Sequence, residues 1–321
     1  MKNTELWAQL SGNTPLAAIR CALDGRERTI YAKLEWYNPS GSIKDRIAFY
    51  MLAEAERTGA LREGQPIAEM TSGNTGIALA AAGAYSGREV HIFMPERASE
   101  ERKALMRMYG AKLHLVSAAE GGFRGALEQC AAFAKETGAF VTEQFSNRAN
   151  ERAHYLTTGE ELLRKLPDIG VFVAGVGSGG TLMGTARRLK ADHSVRAVAV
   201  EPQEAALLSG ASEIGEHRIE GIGDSFIPPL VDRRLIDAVR TVHDGEAIYM
   251  AQRLARELGL GVGISSGANF LAALREEDAR PVATVFADDN KKYLSTALAG
   301  GSAPEESWLA ARVELLDFRI L

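Results

Sequence analysis

An α/β fold with two open, mostly parallel sheets, each flanked by helices, is what this sequence predicts, on three observations. Short runs rich in Val, Ala and Ile alternate with longer segments of helical periodicity along most of the chain. The short runs are apolar throughout rather than alternating, which is the pattern of strands covered on both faces. A polar stretch, "SNRANERAH" (146–154), separates two series of this kind, so two sheets are expected. The 321 residues, 46% hydrophobic and 25% charged, suffice for a sizeable core, as two domains or one large one.

Taken in order, "TIYAKLEW" (29–36) reads as a strand and "DRIAFYMLAEAERTG" (45–59) as a helix closed by Gly59. "PIAEM" (66–70) leads into "NTGIALAAAGAYSG" (74–87), a helix of small residues. "EVHIFMP" (89–95), "SEERKALMRMYG" (99–110), "KLHLVS" (112–117), "GGFRGALEQCAAFAKETG" (121–138) and "AFVTEQF" (139–145) continue the alternation. In the second half "VFVAGVG" (171–177), "RAVAVEP" (196–202) and "PVATVFADD" (281–289) read as strands. "GTLMGTARRLKA" (180–191) and "GEAIYMAQRLARELG" (245–259) read as helices. The C-terminal "SWLAARVELLDFRIL" is apolar on one side and suits packing onto the body or onto a partner chain.

The formal net charge is −5, and basic residues form no stripe, so nucleic acid is not expected as a partner. No apolar run approaches the roughly 18 residues of a membrane span. The N-terminal "MKNTELWAQLSGNTPLAAIR" lacks the basic-then-apolar layout of a signal peptide. Cys21 and Cys130, the only cysteines, fit no disulfide framework, and a reducing cytoplasm is the expected setting. The six histidines are scattered, none at ligand spacing from a cysteine or a second histidine, and no metal is assigned.

Four polar stretches carry the chemistry. "NPSGSIKDR" (38–46) places Lys44 at a helix start, as a solvated cation or as a chemical group. "GVGSGG" (175–180) joins a strand to a helix. Its glycines let backbone N–H groups converge on one anion, and the helix start adds a positive dipole end. Gly175, Gly177 and Gly180 also satisfy G-x-G-x-x-G, with Glu201 at the end of the next strand, so a nicotinamide dehydrogenase is a rival reading. "TSGNTG" (71–76) is a second strand-to-helix loop, with hydroxyls and an amide able to orient a carboxylate or a phenolic oxygen. Asn74 there is also a plausible helix cap. "GISSGAN" (263–269) brings two serines to a helix start, where they cap it or meet a pyridine nitrogen. A lysine, a phosphate cradle and a carboxylate clamp are what an amino-acid enzyme using pyridoxal phosphate needs, and hydride transfer leaves the second loop without a use.

Together these stretches resemble the fold type II pyridoxal phosphate enzymes, of the tryptophan synthase β-like kind, and within them cysteine synthase (O-acetylserine sulfhydrylase) and the core of cystathionine β-synthase. The resemblance runs through "SGNTPL" (11–16), "NPSGSIKDR" (38–46), "TSGNTGIALA" (71–80), "GVGSGGTLMG" (175–184), "EGIGDSFIP" (220–228), "GISSGA" (263–268) and "KYLSTAL" (292–298). It implies pyridoxal 5'-phosphate as cofactor, with Lys44 as its Schiff-base lysine and later the base and acid for the α-proton. It implies Asn74 at the phenolic oxygen, and Gly177, Ser178, Gly179, Gly180 and Thr181 around the phosphate. Ser265 meets the pyridine nitrogen, and Thr71, Ser72, Thr75 and Gln144 grip the substrate carboxylate. The implied reaction is β-replacement on a serine-derived amino acid through an α-aminoacrylate, most simply cysteine synthesis from O-acetylserine and sulfide. It further implies a small-molecule amino acid with sulfide or a thiol as partners, a homodimer, a smaller mobile domain at 40–146, and a larger one from 1–39 plus 147–321.

Two departures concern the substrate. Where cysteine synthases usually carry "GIGAGFIP", this chain has "GIGDSFIP", and "ADDNKKYLST" stands in place of a "PSSGERYLST" type of segment. Asp224, if it faces the substrate, is a candidate acid or base for a poorer leaving group such as a hydroxyl or thiol. The alternative expectation is therefore an enzyme that turns cysteine or serine over to sulfide, serine, lanthionine or cystathionine. Otherwise Asp224 is a solvated loop charge.

Overall fold

The computed structural model describes residues 9–301 and 303–321, so the start of the N-terminal stretch discussed above lies outside the described residues. Seven strands form the larger sheet, in spatial order β11 (Val313–Ile320), β1 (Leu16–Leu23), β2 (Arg26–Leu34), β10 (Val282–Phe286), β7 (Val171–Gly175), β8 (Arg196–Pro202) and β9 (Ala238–Val242). From β2 to β9 the neighbours are parallel, while β1 runs antiparallel to both β2 and β11. The second sheet is all parallel, in the order β5 (Lys112–Val116), β4 (Val90–Pro95), β3 (Ile67–Met70) and β6 (Phe140–Val141). Strands β3, β4 and β10 are buried along their whole length, as continuous apolar runs require. The two sheets and mostly parallel strand order match the expected fold class.

The helices are α1 (Lys44–Thr58), α2 (Asn74–Ser86), α3 (Glu100–Met108), α4 (Gly122–Thr137), α5 (Arg148–His154), α6 (Glu160–Lys165), α7 (Gly180–Asp192), α8 (Asp244–Leu258), α9 (Ile264–Leu274) and the short α10 (Leu309–Arg312). A π-turn, Tyr155–Gly159, joins α5 to α6. No helix among the described residues is long and apolar enough to cross a membrane.

Two segments differ from the sequence reading, and the C-terminal segment takes one of its two expected places. The strand expected over 139–145 has only two residues, because the chain leaves the sheet at Thr142 and turns at Glu143, whose φ is 51°. The polar stretch 146–154 is mostly helix, capped by the Asn147 side chain on Ala149 N–H at 2.9 Å. The C-terminal segment packs onto the body as α10 and as β11 against β1, burying Val313 and Leu315. The β1–β2 hairpin turns on Asp24-Gly25, both with positive φ (53° and 76°), a two-residue hairpin signal that the apolar-run reading passed over.

A buried ionic quartet fixes the start of α1. Arg46 donates to Glu35 at 2.7 and 2.9 Å and to Glu161 at 2.7 and 2.9 Å. Lys33 donates to the Glu161 carboxylate at 2.6 Å and to Thr14 O at 3.2 Å. Two cations thus meet two anions. Burial pushes the Glu161 carboxyl up, but Arg46 and Lys33 outweigh it and hold the group at about 2. Removing one member would strand a buried charge, at a cost of about 3–5 kcal/mol. The quartet ties α1 to β2 and α6, two residues beyond Lys44.

Candidate active site

The loops that leave the carboxyl ends of β3, β7 and β10 converge on one cleft, the place where open α/β sheets hold ligands. The cleft has a volume of about 710 Å³, and Lys44, Thr71, Ser72, Asn74, Thr75, Gln144, Ser178 and Asp224 all line it. A cavity of about 50 Å³ adjoins it, sharing Lys44, Asn74 and Ser178 and adding Gly177, Gly179, Thr181 and Ser265. Of the residues that the resemblance assigns to cofactor or substrate, only Gly180 lines neither space. It is the first residue of α7.

Lys44 opens α1. Its backbone N–H donates to Ser42 Oγ at 3.2 Å, and the neighbouring Ile43 N–H donates to Ala287 O at 2.9 Å, which pins the lysine turn to the end of β10. Burial lowers the pKa of the amine below the usual lysine range, against the opposing pull of Asp224 and Asp288. A lysine so placed has a larger neutral fraction, which is what a nucleophile for an aldehyde or a base for a C–H proton requires. Lys44 thus lines the cleft, half-buried, rather than standing on an outer helix face.

The Gly175–Gly180 loop is held by close backbone approach. A Cβ added to Gly177 would lie 2.3 Å from Gly221 O, and one on Gly180 would lie 1.8 Å from Asn150 Oδ1. At the start of α7 the first N–H groups have no partner within the helix, and the dipole presents its positive end. The Thr181 hydroxyl meets His154 Nε2 at 3.2 Å, and His154 Nδ1 meets Thr158 Oγ1 at 2.9 Å. Burial, reinforced by Arg46 and Lys44, pushes the His154 imidazole down to about 3, so it is neutral at ordinary pH. Glu201 is buried and accepts N–H groups of Leu208 and Ser209 at 2.8 and 2.9 Å. Its carboxylate holds a turn, and the dinucleotide rival loses its ribose acid.

The Thr71–Gly76 loop is built from side chains. Thr75 Oγ1 donates to Gln144 Oε1 at 2.7 Å. Asn74 is not the helix cap: Gly73 takes that position, and no side chain caps the turn. The Asn74 amide instead donates to Asp288 Oδ2 at 2.8 Å, which also accepts from the Tyr293 hydroxyl at 2.8 Å. Asn74 Oδ1 is buried without a partner. Ser265 is not a cap either, since Gly263 precedes α9 and Ser265 is its second residue.

Asp224 stands in the cleft wall. Burial raises its pKa above the usual aspartate range, with Lys44 and His217 pulling the other way. The carboxyl is therefore a stronger base than a surface aspartate and keeps a proton to higher pH.

Sequence reasoning missed several neighbours. Asp288 lies in the departing "ADD" segment, but nothing local to it shows that it reaches Asn74, 214 residues away. Arg102 pairs with Glu220 and stacks 4.7 Å from the Tyr293 ring centre, and Phe145 meets Phe226 edge-on at 5.1 Å. These contacts bridge the cleft, and only the folded chain brings them together.

The residues present fit pyridoxal phosphate. Backbone N–H groups and hydroxyls at 177–181 suit a phosphate, Lys44 suits an aldehyde, Asn74 suits a phenolic oxygen and Ser265 suits a ring nitrogen, and all of these residues but Gly180 line one small cavity.

Residues 8–287 match the family described as pyridoxal-phosphate dependent enzyme. A cysteine synthase of Staphylococcus aureus (strain Mu50) is 41% identical over 297 residues, 90% of this chain and 95% of its own. A solved structure of a hydrogen sulfide-producing enzyme from Fusobacterium nucleatum is 45% identical with a TM-score of 0.96, covering 100% of this chain and 99% of that one. A cysteine synthase structure from Entamoeba histolytica is 34% identical with a TM-score of 0.86, over 95% and 93%.

Proposed function

The chain belongs to the pyridoxal-phosphate dependent enzyme family, and from that premise we propose that its reaction takes cysteine as the amino-acid substrate and releases hydrogen sulfide, with Asp224 activating the incoming nucleophile. That it is a pyridoxal phosphate enzyme of the cysteine synthase type, performing β-replacement, follows from its relatives. The choice among β-substituents is the proposal, and one observation carries it: Asp224 shares the cleft with Lys44 and has a raised pKa.

Bound pyridoxal phosphate supplies the electron sink that makes the α-proton of an amino acid acidic and allows its β-substituent to depart. In our reading Lys44 holds the cofactor aldehyde and then carries the α-proton off and back. Gly177, Ser178, Gly179, Gly180 and Thr181 hold the phosphate, Asn74 the phenolic oxygen, and Ser265 the ring nitrogen. A serine hydroxyl leaves that nitrogen uncharged, which weakens the sink and favours departure of the β-group over storage of a carbanion. Thr71, Ser72, Thr75 and Gln144 orient the substrate carboxylate. Residues 40–146 act as the smaller, mobile domain that closes on 1–39 plus 147–321 and excludes water, with Arg102–Glu220 and Phe145–Phe226 as the closing contacts. Asp224 takes the proton of the water or second thiol that adds once sulfide has left as HS−, and gives that proton up to the sulfide or to solvent, ready for the next turnover. The enzyme works in the cytoplasm, in keeping with two buried free cysteines, and as a homodimer, in keeping with exposed Phe318 and Ile320 on the outermost strand.

A second reading, cysteine synthesis from O-acetylserine and sulfide, is supported by the likeness to the Staphylococcus aureus enzyme. Acetate is a good leaving group and sulfide a good nucleophile, so this direction needs Asp224 less. A panel of cysteine alone, cysteine with a second thiol, serine with homocysteine, and O-acetylserine with sulfide separates the two. Asp224→Ala is expected to cut sulfide release from cysteine by about 100-fold, within the range of a lost general base. The O-acetylserine reaction should fall by less than about tenfold. The base form of Asp224 grows as pH rises through its raised pKa, so the parent rate should climb with pH on an acidic limb that the variant lacks. Equal activity of variant and parent on cysteine would make Asp224 a bystander and leave the second reading.

A further inference from the structure

Asn150, on α5, is 1% exposed and lies between the two ends of the site. Its Nδ2 donates to Gln144 O at 2.7 Å and to Ser178 Oγ at 3.0 Å. An amide nitrogen has two hydrogens, and both are in use. The amide cannot be turned over, because its oxygen would then face the Gln144 carbonyl oxygen, acceptor against acceptor. Ser178 accepts from Asn150, so its own single hydrogen points elsewhere, and Ser178 lines the cleft. Gln144 is held at its carbonyl by Asn150 and at its side chain by Thr75 Oγ1, 2.7 Å away. Asn150 Oδ1 has no partner and is wedged against Gly180, where an added Cβ would lie 1.8 Å off. A hydrogen-bonded path thus runs Thr75–Gln144–Asn150–Ser178.

We propose that Asn150 is a positioning residue that sets the amino-acid end of the site in register with the phosphate end, aiming the Ser178 hydroxyl at the phosphate and Gln144 at the substrate carboxylate. This rests on the reading of residues 177–181 as the phosphate cradle and of Thr75 with Gln144 as part of the carboxylate clamp. A residue that only fastened α5 to the neighbouring loops would affect every ligand alike. A residue that aims a hydroxyl at phosphate affects ligands that carry phosphate.

The test titrates apo-protein separately with pyridoxal phosphate and with pyridoxal, which lacks the phosphate. It compares the parent with Asn150→Ala, Asn150→Leu, Ser178→Ala and the Asn150→Ala/Ser178→Ala double variant, folding being checked by circular dichroism. Asn150→Leu fills the space without donating, so it carries the comparison if the alanine variant does not fold. Both Asn150 variants should lower the preference for pyridoxal phosphate over pyridoxal by about tenfold. The double variant should lose no more than the larger single loss, since both changes break one contact. In cofactor-saturated protein the KM for the amino acid should rise at least about threefold, with kcat changed by less than about twofold. Equal weakening of both ligands, an unchanged preference, or additive losses would overturn the proposal. A parent without any preference for the phosphorylated ligand, or a Ser178→Ala variant that keeps the parent's preference, would remove the phosphate cradle itself and the proposal with it.

Discussion

The two glycine-containing loops of the cleft are built on opposite plans. In the 175–180 loop the backbone is jammed against its surroundings: a Cβ on Gly177 meets a carbonyl oxygen at 2.3 Å, and Gly179 holds a φ of +87°. In the 71–76 loop a Cβ on Gly73 meets nothing within 4 Å, one on Gly76 meets only side chains, Met106 at 2.8 Å and Thr71 at 3.0 Å, and the polar contacts are made by side chains, Thr75 to Gln144 and Asn74 to Asp288. A backbone cradle has one shape and suits a group that stays. A loop of hydroxyls and amides can re-form its hydrogen bonds and suits a group that comes and goes. The difference supports the proposal that the first loop holds the cofactor phosphate and that Thr71, Ser72 and Thr75 of the second serve the substrate.

This contrast can be broken by substitution. Gly177→Ala should have the largest effect, since its Cβ must displace backbone. Overpacking of this kind costs about 1–3 kcal/mol, up to about 100-fold in cofactor affinity. Equilibrium titration of apo-protein with pyridoxal phosphate measures it, and a variant that binds as the parent does would show that the cradle is looser than its contacts. Gln144→Ala should come next and act on the other side of the contrast, weakening amino-acid binding by about tenfold, as expected for a lost hydrogen bond to a charged group. Its cofactor affinity should stay within about threefold. Equal loss of both ligands would make Gln144 a structural residue shared by the two loops. Gly73→Ala should do least to the cofactor, less than about threefold, because its Cβ meets no protein atom within 4 Å, and any loss should fall on the amino acid, since Gly73 lines the cleft. A large loss of cofactor binding in that variant would erase the distinction between the loops.

Much of this was legible in the chain, and for identifiable reasons. Buried parallel strands are continuous apolar runs, so β3, β4, β7, β8 and β10 stood out, and the loops at their carboxyl ends carried unusual residues in short order. Asn74 and Ser178 follow β3 and β7 in this way, while Lys44 and Ser265 stand at the starts of α1 and α9. What stayed hidden depends on distance along the chain. The antiparallel β1–β11 pairing joins the two ends of the described chain, and β11 shows no continuous apolar run because most of its residues face solvent. Asp288 and Asn150 act through partners that no local pattern announces, and Glu201 kept its dinucleotide appearance until its two backbone donors were visible. Asp224 was visible as a residue, but only the fold turns it toward Lys44.

The central claim is that Lys44 is the cofactor-bearing lysine, and borohydride reduction of the purified holoenzyme followed by peptide mass spectrometry tests it most directly. The protein should be yellow, and reduction should fix the pyridoxal phosphate mass on the peptide that contains Lys44. A colourless protein that takes up no cofactor, or a label carried by another lysine, would contradict the account.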